Sequence, residues 1–296
     1  MTIANDSSSD TTLVDGPLWP PERWISPTAL RQYDHCPRRV RLTYIDQVPE
    51  PRGFNLFLAK GRIAHNLLQY SARRISRGQP VHDRDTFLAM AIHRLPPNEF
   101  PSPEERHGHA MEIVRWVTYG LDYLDRDAEY LAIERGNNRP LRVVPGLDSY
   151  RLSARPDLIL LRGAPDGERY IEFIDYKTGT PRDDALVPVL TRYVSREMLK
   201  RYVRDPTTAR MQFTYLWLAP RERQVVELSL DWCETVWESA TEMIRNLTTD
   251  QEWRAQPTML CRYCPYNGNP CDAFQQRVGR RAEQCTGRMS SDTILC

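Results

Sequence analysis

The chain has 296 residues and a formal net charge of +1, so no overall basic field marks it as a nucleic-acid-binding protein, and any such surface must be local. Its content of 41% hydrophobic and 27% charged residues is ordinary for a soluble globular protein. No apolar run is long enough to cross a bilayer, and the N-terminus lacks the basic start and apolar core of a secretory signal. We therefore expect a cytoplasmic protein that does not contact a membrane.

One central domain between two tails is expected. Residues 1–24 are rich in Ser, Thr, Asp and Pro and have little to bury, which predicts disorder. Residues 280–296 show no clear pattern and are expected to form a second tail. Residues 25–279 are long enough to form a single domain with a large core.

Apolar residues at spacings of three and four predict several helices. The first begins with Ser26 as N-cap and Pro27 in its first turn, and a short helical piece follows from Arg38 to Ile45. The longer helices are predicted at residues 54–77, 85–95, 102–126 and 231–247. Residues 211–218, MQFTYLWL, are apolar almost throughout, so that periodicity does not separate helix from strand; we interpret them as a helix.

The stretch from Tyr150 to Gly179 predicts a β-hairpin. Residues 151–161 alternate and then run apolar, the turn sequence GAPDG follows, and residues 170–176 form a second apolar run. A strand within residues 128–144 is expected to lead into the hairpin, and residues 224–229 predict a short edge strand. Helices around a small sheet that contains a hairpin indicate an α/β or α+β fold.

Two acids and a lysine fall on this hairpin. Asp175 and Lys177 are two residues apart on one strand and so share a face, and the hairpin can bring Asp157 beside them. Carboxylates bind hard cations such as Mg²⁺ or Mn²⁺, which polarise a phosphoryl oxygen and activate water, while a lysine offsets developing negative charge. The alternative is a surface strand with a cross-strand salt bridge; the apolar neighbours Ile171 and Phe173 favour the metal site.

Three further residues are candidates for the same site. His65 lies in a predicted helix and is either a metal ligand or a core histidine bonded to backbone. Gln212 and Tyr215, three apart on one face of the helix interpreted at 211–218, are either groups that orient a phosphate or a buried amide and phenol.

Seven cysteines, an odd number in a presumed reducing compartment, favour a metal or cluster site over disulfides. Cys261, Cys264 and Cys271 supply three thiolates in eleven residues, and the fourth ligand is expected to be Cys36, with Cys285 as the local alternative. Zn²⁺ and an iron–sulfur cluster both fit four sulfur ligands, and unrelated thiols are the remaining alternative.

Arginine-rich segments offer local basic surface. They lie at residues 38–41, 73–77, 192–210 and 277–281. Arginine suits phosphate, and Tyr193, Tyr202 and Trp217 are candidates to stack on bases. A solvated face is the alternative for each segment taken alone.

Six motifs in order resemble the RecB-family nucleases of the PD-(D/E)xK superfamily. The closest resemblance is to the small iron–sulfur type, which includes the CRISPR-associated RecB-like exonucleases and their phage relatives. The motifs are SPTALRQYDHCPRR, KGRIAHNLL, ARPDLILL, IEFIDYKTG, RMQFTYLWL and CRYCPYNGNPC, spread over residues 26–271. The resemblance implies a restriction-endonuclease-like core, a small mixed sheet flanked by helices, with a helical part held by an iron–sulfur cluster.

The resemblance also implies roles for individual residues. His65, Asp157 and Asp175 would be metal ligands together with the backbone carbonyl of Tyr176, and Lys177 would be the catalytic lysine. Gln212 and Tyr215 would match the family's Gln-Tyr motif, although two residues separate them here where three are usual. The cysteines that would bind a [4Fe–4S] cluster are Cys36, Cys261, Cys264 and Cys271.

We therefore expect a Mg²⁺- or Mn²⁺-dependent DNA exonuclease that prefers single-stranded ends. No helicase phosphate loop is present, so a motor would have to come from a helicase partner, and a CRISPR adaptation complex or a homo-oligomer is a further possible assembly. The alternative is a catalytically weak module that binds DNA or a partner; the intact Asp157, Asp175 and Lys177 argue against it.

Overall fold

The computed structural model describes residues 18–50, 53–134, 137–140, 147 and 149–276. Most of the predicted N-terminal tail and the whole predicted C-terminal tail lie outside the described residues, as do Cys285 and all the arginines at 277–281. The described chain divides into two compact units. The larger holds residues 24–27 and 53–242 and the smaller holds 18–23, 28–50 and 243–276, so the single domain at 25–279 stays a prediction.

A run of helices precedes a run of strands along the described chain. The helices are α1 (Pro27–His35), α2 (Pro37–Val40), α3 (Leu56–Ile75), α4 (Arg84–Arg94), α5 (Pro103–Tyr123), α6 (Leu186–Leu199) and α7 (Leu230–Thr249), with a π-helical turn at Arg41–Ile45 and 3₁₀ turns at Pro97–Glu99 and Met259–Tyr263. The strands are β1 (Trp24–Ile25), β2 (Glu129–Ile133), β3 (Asn137–Pro140), β4 (Arg151–Ala154), β5 (Leu158–Gly163), β6 (Arg169–Lys177), β7 (Met211–Trp217) and β8 (Glu222–Glu227). Among the described residues no helix is long and apolar enough to span a membrane.

A five-stranded mixed sheet in the order β2-β5-β6-β7-β8 forms the centre of the larger unit. The hairpin β5–β6 is antiparallel, as the turn sequence predicts, whereas β6 and β7 are parallel and are connected through α6. The predicted mixed α/β architecture is therefore confirmed. A second, three-stranded sheet has the order β1-β4-β3.

Helices cover both faces of the central sheet. On one face, Leu158, Ile174 and Leu216 pack with apolar residues of α3, α4 and α5. On the other face, Phe173 and Phe213 pack with residues of α6 and α7. Because successive side chains of a strand point to opposite faces, each acid on β6 is assigned to one of these two layers by its position alone.

The helix predicted at 211–218 is wrong, because these residues form strand β7. The strand is buried on both faces, so it carries no polar–apolar alternation, and a short apolar run of this kind is compatible with either structure. Gln212 and Tyr215, three residues apart, therefore lie on opposite faces of a strand and not on one face of a helix.

Helix α6 lies where only a polar, arginine-rich segment was noted from the sequence. Its residues Val189, Leu190, Val194 and Leu199 are buried at helical spacings. The apolar residues of this helix are visible in the sequence, but a proline and two arginines among them interrupt the pattern. The edge strand β8 and the helices α3, α4, α5 and α7 form close to their predicted limits.

Candidate active site

Asp157 and Asp175 lie side by side at one end of the central sheet. The antiparallel register pairs Leu158 with Ile174, and Asp157 and Asp175 are the next residue on each side of this pair. Asp157 lies in a bend just before β5, and Asp175 lies on β6. The two carboxyl groups are close enough for Asp157 to add to the rise in the pKa of Asp175.

Asp157 is held by two contacts from different elements. Its Oδ2 accepts a hydrogen bond of 2.7 Å from the backbone N–H of Tyr176, and its Oδ1 lies 3.2 Å from Nδ1 of His65 on α3. Burial acts to raise the pKa of Asp157, but His65, the Tyr176 N–H and the nearby Lys177 together lower it below its usual value. Asp157 is thus a fixed carboxylate that joins β6 to α3.

Asp175 is a buried carboxyl whose charge is incompletely balanced. Its Oδ2 lies 2.6 Å from Nζ of Lys177, two residues along the same strand. Burial raises the pKa of Asp175 to about 6; Lys177 opposes this rise and the neighbouring Asp157 adds to it. Two acids therefore share one lysine at this end of the sheet.

His65 reaches the acids because α3 approaches the end of β6 closely. A Cβ on Gly61 would lie 3.0 Å from Oγ1 of Thr178, so a side chain there would push the helix away. One turn later, His65 packs edge-on against the ring of Tyr176, with 5.6 Å between ring centroids. Burial lowers the pKa of His65, but the carboxylate of Asp157 outweighs it and the net pKa is raised.

This group of side chains fits a hard divalent cation. Two carboxylates and an imidazole are ligands for Mg²⁺ or Mn²⁺, and the excess negative charge at Asp175 is what a cation would balance. Within the described ranges, no three His, Cys, Asp or Glu side chains form a ready-made metal site. The acids at this end of the sheet do not form one because their carboxyl groups are turned to different partners: Asp157 contacts His65 and Tyr176, and Asp175 contacts Lys177.

Gln212 and Tyr215 do not act together. Gln212 donates through Nε2 to Oε1 of Glu172 at 3.0 Å, on the α5 side of the sheet. Tyr215 is the Cα partner of Asp175 on the neighbouring strand, but its hydroxyl donates to the carbonyl oxygen of Asp184 at 3.2 Å. The structure thus separates two residues that the sequence predicted as one motif.

Sequence reasoning missed a buried acid, Glu172, three residues before Asp175. Its Oε1 accepts from Tyr123 at 2.5 Å, Thr214 at 2.5 Å and Gln212 at 3.0 Å. Nε of Arg162 lies 2.5 Å from Oε2 in an ion pair, although its N–H is not aligned for a good hydrogen bond. The signal was an acid in the middle of the apolar run YIEFIDYK, the same signal that identified Asp175.

Four cysteines line one pocket in the smaller unit. They are Cys36, Cys261, Cys264 and Cys271. The described cysteines are all free thiols, and the backbone N–H of Thr258 donates to Sγ of Cys261 at 3.4 Å. Burial raises the pKa of the Cys264 thiol; the Tyr266 backbone and Arg39 oppose this, while Cys261 and Cys271 add to it. Four thiolates are the donor type of a cluster or a zinc ion, but within the described residues these four do not form a ready-made metal site either.

Two of the predicted base-stacking residues pack against other parts of the protein. Tyr193 stacks on Trp237 with ring centroids 3.7 Å apart, and Trp217 is 3% exposed. Arg192, from the arginine-rich segment, is also buried and donates to the carbonyl oxygens of Leu228 and Thr207. Tyr202 is exposed.

Comparison with known proteins identifies the class. The model of the PD-(D/E)XK nuclease superfamily matches residues 24–269, and the chain belongs to this superfamily. Such nucleases generally use divalent metal ions, and the family indicates a nuclease that acts on DNA. No curated protein matches the chain. A solved structure described as "Crystal structure of SSO0001" is similar at 18% identity over 86% of this chain and 87% of that chain, with a TM-score of 0.33.

Proposed function

We propose that the protein is a Mg²⁺- or Mn²⁺-dependent DNA exonuclease that prefers single-stranded ends. The observation that supports it most is the partly buried Asp157 beside the buried Asp175 at the end of the hairpin, with Nζ of Lys177 at 2.6 Å from Asp175. A largely buried acid pair served by one lysine has no structural advantage over apolar residues, which favours a functional reason for it.

The metal would be held by Asp157, Asp175, His65 and the backbone carbonyl of Tyr176. When bound, a divalent cation polarises the phosphoryl oxygen and lowers the pKa of a bound water. Lys177 has a half-buried side chain and a flexible stem, so its ammonium group can leave Asp175 and stabilise negative charge on the phosphate. The contact of Asp157 with the Tyr176 N–H keeps its carboxylate in place throughout.

Gln212 and Tyr215 are proposed to position other groups. Gln212 acts through Glu172 on the interior of the sheet, and Tyr215 acts through the Asp184 carbonyl on the chain between β6 and α6. Their substitution should therefore change the fold around the site before it changes the chemistry.

A structural [4Fe–4S] cluster is proposed for Cys36, Cys261, Cys264 and Cys271. Their shared pocket and the free state of all four thiols support four sulfur ligands, and the family resemblance favours iron–sulfur over zinc. Anaerobically purified protein should be brown and contain iron and sulfide. Colourless protein with one equivalent of zinc would rule out the cluster.

We also propose a cellular compartment and partners for the protein. Free thiols are typical of a reducing compartment, which favours the cytoplasm. A nuclease without a motor sequence would act with a separate helicase or within a CRISPR adaptation complex, and self-association is also possible. Purification from cells with a tag on this chain would identify a stable partner.

The decisive experiment is a cleavage assay on Lys177→Ala. Wild-type protein should shorten end-labelled single-stranded DNA in Mn²⁺ buffer faster than duplex DNA, and Lys177→Ala should lose this activity while keeping its circular dichroism spectrum. Lys200→Ala removes an exposed lysine that pairs with Glu197 on α6, and it should cleave like wild type. Equal cleavage by both variants would refute the role of Lys177, and binding of DNA without cleavage by wild type would favour the binding module.

A further inference from the structure

Helix α3 begins with apolar side chains on the protein surface. Phe57 is 48% exposed, Leu58 is 62% exposed, and the preceding Phe54 is 38% exposed. Single exposed apolar residues are common, but a contiguous group that includes two aromatic rings marks a binding surface. We call Phe57 and Leu58 the α3 platform.

The α3 platform lies beside the candidate active site. Phe57 and Leu58 precede Gly61 by four and three residues and are therefore its neighbours on the helix surface. Gly61 contacts Thr178, the residue after Lys177. Leu58 and His65 are seven residues apart, which puts them on one side of α3 about 10 Å apart along the helix axis. That distance is within one or two nucleotides of a bound strand.

The same side of α3 carries a cation. Arg62 is exposed and lies four residues after Leu58, between the platform and His65. Proteins that hold single strands combine cations for the phosphates with apolar or aromatic surfaces for the bases. Of the aromatic residues predicted to stack on bases, Trp217 is buried in the core and the ring of Tyr193 is already stacked on Trp237.

We propose that Phe57 and Leu58 stack on an unpaired nucleobase next to the scissile phosphate. This inference rests on the proposed nuclease function. It would explain physically why the enzyme prefers single-stranded ends. The ring of Phe57 supplies a face for the base, Leu58 supports its edge, and Arg62 contacts the adjoining phosphate. A paired base is already stacked in its duplex and gains less from this surface.

The first test separates base contact from chemistry. Phe57→Ala and Leu58→Ala are assayed in Mn²⁺ on single-stranded DNA and on bis(p-nitrophenyl) phosphate, a diester without a base. For Phe57→Ala, kcat/KM on DNA should fall about 10-fold or more, the range measured for loss of one stacked base, and kcat/KM on the small diester should stay unchanged. Leu230→Ala, which shortens an equally exposed apolar residue at the start of α7, should match wild type on both.

The second test does not require cleavage. Lys177→Ala is mixed with single-stranded DNA that carries 2-aminopurine at its terminal base, and the fluorescence should be quenched on binding because the base stacks. Adding Phe57→Ala should abolish the quenching without abolishing binding at low salt. If wild type cleaves neither substrate, the nuclease proposal fails, whereas the quenching still decides whether the platform exists.

Two results would overturn the platform. Equal losses on DNA and on the small diester would mean that Phe57 supports the catalytic residues instead of a base. A wild-type dimer in analytical ultracentrifugation that becomes monomeric in Phe57→Ala, with unchanged 2-aminopurine quenching, would assign the surface to a second copy of the chain.

Discussion

Strand β6 carries two buried acids that differ in how fully their negative charge is balanced by neighbouring groups. Glu172 is fully buried, and its carboxylate is surrounded by Arg162 and by hydrogen bonds from Tyr123, Gln212 and Thr214. Asp175, three residues later and on the opposite face, is almost as buried. It faces a second acid and a single lysine, and its pKa is raised to about 6.

The difference separates a structural charge from a functional one. A buried carboxylate is stable only when a cation and hydrogen bonds replace the water it has lost. The Glu172 cluster supplies both within the fold. The acid pair Asp157 and Asp175 leaves negative charge uncompensated, which is what the proposed cation would balance. Substitutions at the two acids should therefore affect different properties.

The largest effect is expected for Asp175→Asn. Removing a proposed metal ligand should lower DNA cleavage by about 10³-fold, the scale seen when a transition-state contact is lost. The free energy of unfolding should not fall, because the neutral amide is easier to bury than the carboxylate, and half-exposed Lys177 can turn to solvent. Cleavage rates and urea unfolding on the same sample check both parts, and a marked loss of stability would contradict the comparison.

The next effect is expected for Glu172→Gln. The amide keeps the shape but leaves Arg162 with only the more exposed Asp125 as counter-ion, which should lower the free energy of unfolding by about 3 kcal/mol, the lower end of the range for a broken buried pair. The rate of cleavage per folded molecule should remain close to wild type.

A double-mutant cycle sharpens this result. Arg162→Met and Glu172→Leu should together destabilise by about 1–3 kcal/mol less than the sum of the single changes, because each single change removes the closest counter-ion of a buried charge. The cycle between Lys177→Met and Asp175→Asn should give a coupling below about 1 kcal/mol, since the Lys177 side chain is 30% exposed. Equal coupling energies in the two cycles would mean that the Glu172–Arg162 pair and the Asp175–Lys177 pair do not differ in how strongly their charges interact.

A smaller and pH-dependent effect is expected for Tyr123→Phe. The phenol donates to Glu172, and burial together with that carboxylate raises the pKa of Tyr123 from 10.0 to about 12. The unfolded chain releases this proton at lower pH than the folded one, so stability falls as pH rises from about 10 to 12. Near neutral pH, loss of this hydrogen bond to a charged group should cost about 1.5–3 kcal/mol.

The pH dependence isolates the phenol. Between pH 10 and 12 the stability of Tyr123→Phe should fall less steeply than that of wild type, measured by urea unfolding at each pH. Tyr202→Phe, which removes a hydroxyl from an exposed ring, serves as the control. Parallel curves for wild type and Tyr123→Phe would show that the phenol does not feel the buried charge.

The sequence predicts the acid pair because local rules are enough to place it. Period-2 alternation puts Asp175 and Lys177 on one face, and a short turn fixes the register that brings Asp157 beside them. Spacing groups Cys261, Cys264 and Cys271, and Cys36 joins them because it precedes a proline at a helix end and because of the family resemblance; the structure brings Cys36 to the same pocket as the other three. Whether either group binds a metal stays a prediction.

The rest depends on long-range packing that no local pattern encodes. The sequence of β7 does not differ from that of a buried helix, because helices cover both faces of the strand and it is apolar almost throughout. Its pairing with β6 requires the crossover through α6. The partners of Glu172 come from α5, β5 and β7, so its structural role is visible only once these elements are assembled. The difference between the two acids of β6 is therefore a property of the fold.

The smallest expected effect concerns Gly61→Ala, which changes only the approach of α3 to the acid pair. Alanine favours the helix by about 1 kcal/mol, but its Cβ would meet Oγ1 of Thr178 at 3.0 Å and move the helix or the threonine by a few tenths of an ångström. Stability should change by less than about 1 kcal/mol, whereas cleavage should fall several-fold because His65 shifts relative to Asp157.

A second change distinguishes this shift from a general disturbance. Thr178→Ala removes the atom that the new Cβ meets, so the double variant with Gly61→Ala should regain most of the cleavage rate. The Glu172 carboxylate takes its partners from α5, β5 and β7, and it should be unaffected in all three proteins. If the double variant cleaves no better than Gly61→Ala, the closeness of α3 to β6 does not set the position of His65.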